Sequence, residues 1–85
     1  MGMSGLKAGV YRHYKGNLYE VIGLAKHSET GEKMVVYQAL YNSPELKEEY
    51  GIRPMFVRPF SMFIEKVQVG GKVSPRFALV EDKRR

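Results

Sequence analysis

The sequence predicts a mainly β protein: a small antiparallel β-barrel of the SH3-like kind, or a curved sheet, with one or two short helices. Three observations lead there. Alternating runs rich in Tyr, Val and Ile recur along the chain, glycine-bearing turns separate them, and only two segments carry helix-start chemistry. The runner-up architecture is an open antiparallel sheet covered by the helical turn at residues 59–65.

Residues 1–8 read as a flexible leader, 9–80 as one β-rich domain and 81–85 as a charged tail. Residues 9–15 and 18–26 alternate as two strands, with Gly16-Asn17 as a two-residue turn because both residues tolerate positive φ. A third strand runs from Lys33 to Tyr41, after the loop HSETG, where Gly31 takes the left-handed position. In SPELKEEYG, Ser43 serves as N-cap, Pro44 as the first helical residue and Glu45 as a first-turn acid, and Gly51 closes the helix. MFVRP, residues 55–59, is a short strand bounded by prolines, and PFSMFIEK begins a helical turn at Pro59. A last hairpin pairs Val67–Val69 with Arg76–Val80 across Gly70-Gly71.

These turns set a register. A two-residue turn at Gly16-Asn17 places Tyr14 opposite Tyr19, Arg12 opposite Val21 and His13 opposite Glu20. A five-residue loop over His27–Gly31 sets Lys26 opposite Glu32, in preference to the register that sets two lysines, Lys26 and Lys33, face to face. The aliphatic core face then carries Leu18, Ile22, Leu24, Met34, Val36 and Leu40. Arg12, Tyr14, Tyr19, Val21, Tyr37 and Tyr41 share the opposite face. A slip of one residue exchanges the two.

The 85 residues make one domain, and 44% hydrophobic with 27% charged residues is the composition of an ordinary globular protein. Without a cysteine the chain has no disulfide, thiolate metal site or thiol nucleophile, which suits a cytoplasmic location. No apolar run is long enough for a bilayer, and MGMSGLKAG lacks the apolar segment of a secretion signal. Of the net charge of +5, residues 82–85 supply two, so the body carries a charge that permits a nucleic-acid partner without indicating one.

Four groups of residues carry candidate chemistry. The Tyr and Arg12 face either stacks on a planar ligand or packs beneath a helix as a second core. His13 with Glu20 forms either a tuned general base or a satisfied polar pair at the sheet margin. His27-Ser28-Glu29-Thr30 holds the residue types of a hydrolytic triad, yet one tight loop suits a capped hairpin tip better. Arg58 before Pro59 either binds an anion or holds the Glu45–Glu49 helix. A metal centre on His13 and His27 requires sites more than ~20 Å apart along a flat strand to converge, so none is expected. No phosphate loop, dinucleotide glycine pattern or HExxH motif occurs, and no cofactor is expected.

With these residues in place, the chain from about Gly9 to Val80 resembles a family of short stand-alone bacterial proteins, domain of unknown function 1653. The motifs are GVYRHYKG, YEVIGLAKHSET, VVYQALY and VRPFSMF. The resemblance implies the fold unit and no activity. Its signature centres on polar residues that include His13, Lys15, His27, Ser28, Glu29, Thr30, Tyr37 and Arg58. Phe56 stands where the family pattern has tryptophan, and SPELKEEYGIRPM is longer than the pattern.

The expectation is therefore a small cytoplasmic binding module for a polar or anionic ligand, a nucleic acid or a protein partner, with no membrane. Arg12, His13, Lys15, His27, Glu29, Tyr37 and Arg58 are its candidate binding residues. The alternative is a hydrolase acting through His13 and Glu20 or through the His27–Thr30 loop. Convergence of His13, Lys15, His27, Glu29 and Arg58 on one basic groove is the geometric test of the first.

Overall fold

The computed structural model describes residues 5–82, and the Lys83–Arg85 part of the charged tail lies outside them. Five strands form one antiparallel sheet in the order β4-β3-β2-β1-β7: β1 Gly9–His13, β2 Leu18–Lys26, β3 Lys33–Ala39, β4 Met55–Pro59 and β7 Phe77–Asp82. β5 (Lys66–Val69) and β6 (Lys72–Pro75) make a separate two-stranded ribbon. A 3₁₀ turn at Pro44–Leu46 leads into α1 (Lys47–Tyr50), and α2 is the single turn Phe60–Phe63. The sheet is mainly β and antiparallel as expected, but no barrel closes. β4 and β7 are its two edges, and the architecture is a curved open sheet with α2 lying over it.

The first hairpin differs from the two-residue turn expected at Gly16-Asn17. The His13 N–H donates to the Asn17 carbonyl at 2.8 Å and the Gly16 N–H to the His13 carbonyl at 2.7 Å. The loop is therefore the three residues Tyr14–Gly16, with Gly16 at φ 113°, a position that suits glycine. Tyr11 consequently pairs with Tyr19 and Arg12 with Leu18. Relative to the expected register this is a shift of three residues, an odd number, so β1 turns over against β2: Arg12 leaves the tyrosine face and Tyr11 joins it.

Tyr19, Val21 and Tyr37 keep their common face, and that face, packed beneath α2, is the core. Tyr11, Val21, Val35, Tyr37, Phe63 and Phe77 form the buried cluster, and Leu6, Tyr19, Leu24, Phe56 and Phe60 pack against it. Of the expected aliphatic core only Leu24 joins the cluster, while Ile22 is 51% exposed. Leu24 reaches the inner face because the β2–β3 register shifts between Val21 and Gly23, a bulge that absorbs one residue. Phe63, 1% exposed, seals the cluster from α2: its ring stacks on Phe77 at 4.1 Å and 5°, and meets Tyr11 and Tyr37 edge-on. Each such aromatic pair adds about 0.5–1.5 kcal/mol beyond area burial.

At the second hairpin Lys26 does face Lys33, because the closing pair is His27 with Glu32. The like charges are accommodated in that Lys33 turns its ammonium over the Phe60 ring, 4.0 Å from the centroid. In the last part of the chain Val69 pairs with Lys72 across Gly70-Gly71, both at positive φ, so the hairpin partner of β5 is Lys72–Pro75. Phe77–Asp82 pairs instead with β1 as the fifth strand of the main sheet. There Gly9 is obligatory, since a Cβ on it would lie 2.0 Å from the Glu81 carbonyl oxygen. Ser43 occupies the expected N-cap position, but its hydroxyl donates to the Glu45 carboxylate at 3.1 Å rather than capping the backbone.

Candidate functional site: a basic mouth at the end of the aromatic core

β1 carries His13 on the inner face, next to Tyr11, and the pairing His13–Phe77 brings β7 against it. The His13 ring lies 4.9 Å from Phe77, 4.5 Å from Tyr14 and 6.4 Å from Tyr19. Its Nδ1 accepts the Lys15 backbone N–H at 3.2 Å, which assigns the ring proton of neutral His13 to Nε2. Burial holds the His13 pKa below its ordinary 6.5, and the positive charges of Arg58, Arg76 and Lys15 push it the same way. Cations from three elements therefore surround one neutral imidazole.

Arg58 reaches this point from β4, the far edge of the sheet. Its Nε donates to the Tyr37 hydroxyl at 3.2 Å, and its guanidinium carbon sits 5.5 Å from the centroid of the Phe77 ring. Among the described residues it has no carboxylate partner; the ion pair found there joins Arg76 to Glu65 at 3.0 Å. Arg76 also donates from Nε to the Met62 carbonyl at 3.1 Å, and its own carbonyl accepts the Tyr14 N–H at 2.9 Å. So Arg76 is tied to the end of α2 and to the β1–β2 loop at once.

Tyr19 is the centre of the aromatic floor. Its ring meets Tyr37, Tyr41, Phe56 and Phe77 edge-on at 5.3–6.0 Å, and its hydroxyl lies 3.0 Å from that of Tyr41. Desolvation, followed by the Tyr41 hydroxyl, raises the Tyr19 pKa, so it is a neutral phenol at physiological pH.

Of the seven candidate residues the structure brings four together: His13, Lys15, Tyr37 and Arg58. Arg12 falls on the outer face with its partners Leu18 and Ala78. His27 and Glu29 occupy the hairpin tip at the other end of β2, roughly 26 Å along the strand from Leu18 at ~3.3 Å per residue. There the His27 Nδ1 accepts the backbone N–H groups of Glu29 and Thr30 at 3.1 and 3.3 Å, and the Thr30 hydroxyl accepts that of Glu32. The loop caps itself. Glu20 pairs with Val10 and Gln38 on the outer face, so the expected His13–Glu20 pair is split by the sheet. Among the described residues no three His, Asp or Glu side chains gather as a metal site, and no helix is long and apolar enough to cross a membrane.

Arg76 was not anticipated. Its signal lay in PRF: a cation directly before Phe77 becomes part of the site once residues 77–82 are paired with β1 rather than with β5.

The comparisons agree with this architecture over nearly the whole chain. A crystal structure of a DUF1653 protein from Bordetella bronchiseptica matches with a TM-score of 0.80 and 39% identity, over 99% of each chain. No curated protein matches. The model of the family described as "Protein of unknown function (DUF1653)" covers residues 9–79, and the chain belongs to that family.

Proposed function

We propose that the chain is a small binding module that recognises an anionic group at the mouth formed by His13, Lys15, Arg58 and Arg76. The observation that carries this reading is Arg58. A half-buried guanidinium fixed by a phenol and an aromatic face, with no carboxylate beside it among the described residues, is a preorganised anion receptor. Phosphate and carboxylate both match its planar donor fork. Neutral His13 contributes an Nε2–H donor to the same mouth, and it gains a proton more readily once an anion offsets the surrounding cations.

Packing alone does not require this convergence. Arg76 has Glu65 and a carbonyl to satisfy it, and Lys15 has its own tyrosine ring 5.8 Å away, whereas Arg58 is drawn across the sheet end toward β7. We place the module in the cytoplasm, a compartment suited to a cysteine-free chain. Hydrolysis through His13 and Glu20 gains no support, because the two side chains lie on opposite faces of the sheet. Chemical-shift mapping with inorganic phosphate and pyrophosphate tests the reading. It stands if perturbations centre on His13, Lys15, Arg58 and Arg76, and it falls if they scatter over the surface.

A further inference from the structure

An open cleft of about 240 Å³ adjoins this mouth through His13. Tyr14 forms one wall, Val69 and Pro75 of the small ribbon and Ala78 of β7 supply apolar surface, and Arg12 and Ser74 supply polar groups. Among the described residues no acidic side chain lines it. Tyr14 is 38% exposed, although its ring is braced by the tilted His13 imidazole at 4.5 Å, so it presents a preset aromatic surface. Among the described residues no side-chain hydrogen bond or ion pair engages the Arg12 guanidinium. Lys15 holds its ammonium 5.8 Å from the Tyr14 ring.

The cleft is smaller than the ~300–1,000 Å³ pockets that enclose drug-sized molecules, so it suits a single ring system. Its chemistry is specific in a second way: an aromatic ring and apolar side chains line it together with Arg12 and with His13, the residue it shares with the mouth. The groove beside β4 offers a contrast. Leu46, Tyr50, Pro54, Met55, Phe56 and Val57 line it, with no charge among them, and nothing there selects a ligand.

We infer that the cleft takes the base of a nucleoside phosphate, free or within a single strand, whose phosphate reaches the Arg58 mouth. This rests on the reading of that mouth as an anion site and adds the ring to it. Tyr14 stacks on the base, which every nucleobase allows because each has a π-face, and Arg12 closes the outer rim. Ring and phosphate are then read by different residues, so their contributions can be separated.

The experiment titrates the full chain with ribose 5-phosphate, adenosine 5′-monophosphate and a short mixed oligonucleotide, using the wild type, Tyr14→Ala, Tyr14→Leu and Arg58→Met. The expected result is that adenosine 5′-monophosphate binds roughly tenfold more tightly than ribose 5-phosphate. Both Tyr14 variants reduce that margin and leave ribose 5-phosphate binding unchanged, and Val69, Ser74 and Ala78 shift only when the base is present. Arg58→Met weakens all three ligands. Tighter binding of the oligonucleotide identifies a strand as the source, and tighter binding of the mononucleotide identifies a free nucleotide. Equal affinity for ribose 5-phosphate and the nucleotide in the wild type overturns the inference while leaving the anion mouth intact. Binding of none of the ligands removes both.

Discussion

Arg58 and Phe77 belong to opposite edges of one open sheet, yet the guanidinium carbon lies 5.5 Å from the centroid of the ring. The sheet curls far enough for its first and last edges to share a site without a hydrogen-bonded seam between them. Two register shifts, in β1–β7 and in β2–β3, are the local devices that bend it. The contact also explains why a cation can stand at the end of a core made almost wholly of rings.

The core should depend on Phe63 more than on any other side chain. It is 1% exposed and packs on Tyr11, Tyr37 and Phe77 from the one turn of helix covering the sheet. Phe63→Ala should cost about 3–5 kcal/mol, a large part of the stability of a domain this small. Urea unfolding measures it; a loss below about 1 kcal/mol would mean that α2 is dispensable.

Two glycines should respond differently to alanine. At Gly9 the new Cβ meets a backbone carbonyl at 2.0 Å, so β1 or β7 must move and a loss of about 2 kcal/mol or more is expected. At Gly16 nothing among the described residues lies within 4 Å of the new Cβ, and the positive φ opposes the change, at about 1–2 kcal/mol. Thermal melts of both variants rank them, and the reverse order would contradict the β1–β7 pairing.

Stability should carry a pH dependence from His13. Burial and three cations lower its folded pKa below 6.5, so the unfolded chain takes up this proton first as pH falls. The contribution is whole above about pH 6.5, declines below it, and levels off once the folded pKa is passed. His13→Gln should flatten that part of the profile relative to wild type. An NMR titration should place the His13 midpoint below 6.5 and move it upward when phosphate is added.

Tyr37→Phe should release Arg58 while leaving the ring in the core. The expected outcome is a stability loss of about 1 kcal/mol and a several-fold weaker affinity for pyrophosphate. Unchanged affinity would mean that the phenol does not position the guanidinium.

Much of the fold was legible in the sequence. β2 and β4 match their predicted spans, and the turn of helix after Pro59 was evident from its sequence. The β1 register was not, because Gly16 serves a three-residue loop as readily as a two-residue one, and an odd shift moves every β1 side chain to the other face. That single ambiguity moved Arg12 off the tyrosine face, put Tyr11 on it, and separated His13 from Glu20. The pairing of Val67–Val69 with Arg76–Val80 fails for a separate reason: the Gly70-Gly71 turn closes at once on Lys72–Pro75, which frees residues 77–82 for β1 and brings Arg76 to the site. His27 and Glu29 looked functional by residue type, whereas a histidine nitrogen capping a hairpin loop leaves no trace in composition. Arg58 was identifiable as a candidate, but its reach across to Phe77 depends on sheet curvature that no local pattern reports.

Calorimetric titration with pyrophosphate at low ionic strength, comparing wild type with Arg58→Met, tests the anion mouth most directly. Circular dichroism should show the same fold in both proteins, and Arg58→Lys should retain part of the binding through its charge. The account predicts saturable binding by the wild type and a loss of roughly tenfold or more in Arg58→Met. Equal affinities in the two proteins, or binding that disappears only when the Lys83–Arg85 tail is removed, would contradict it.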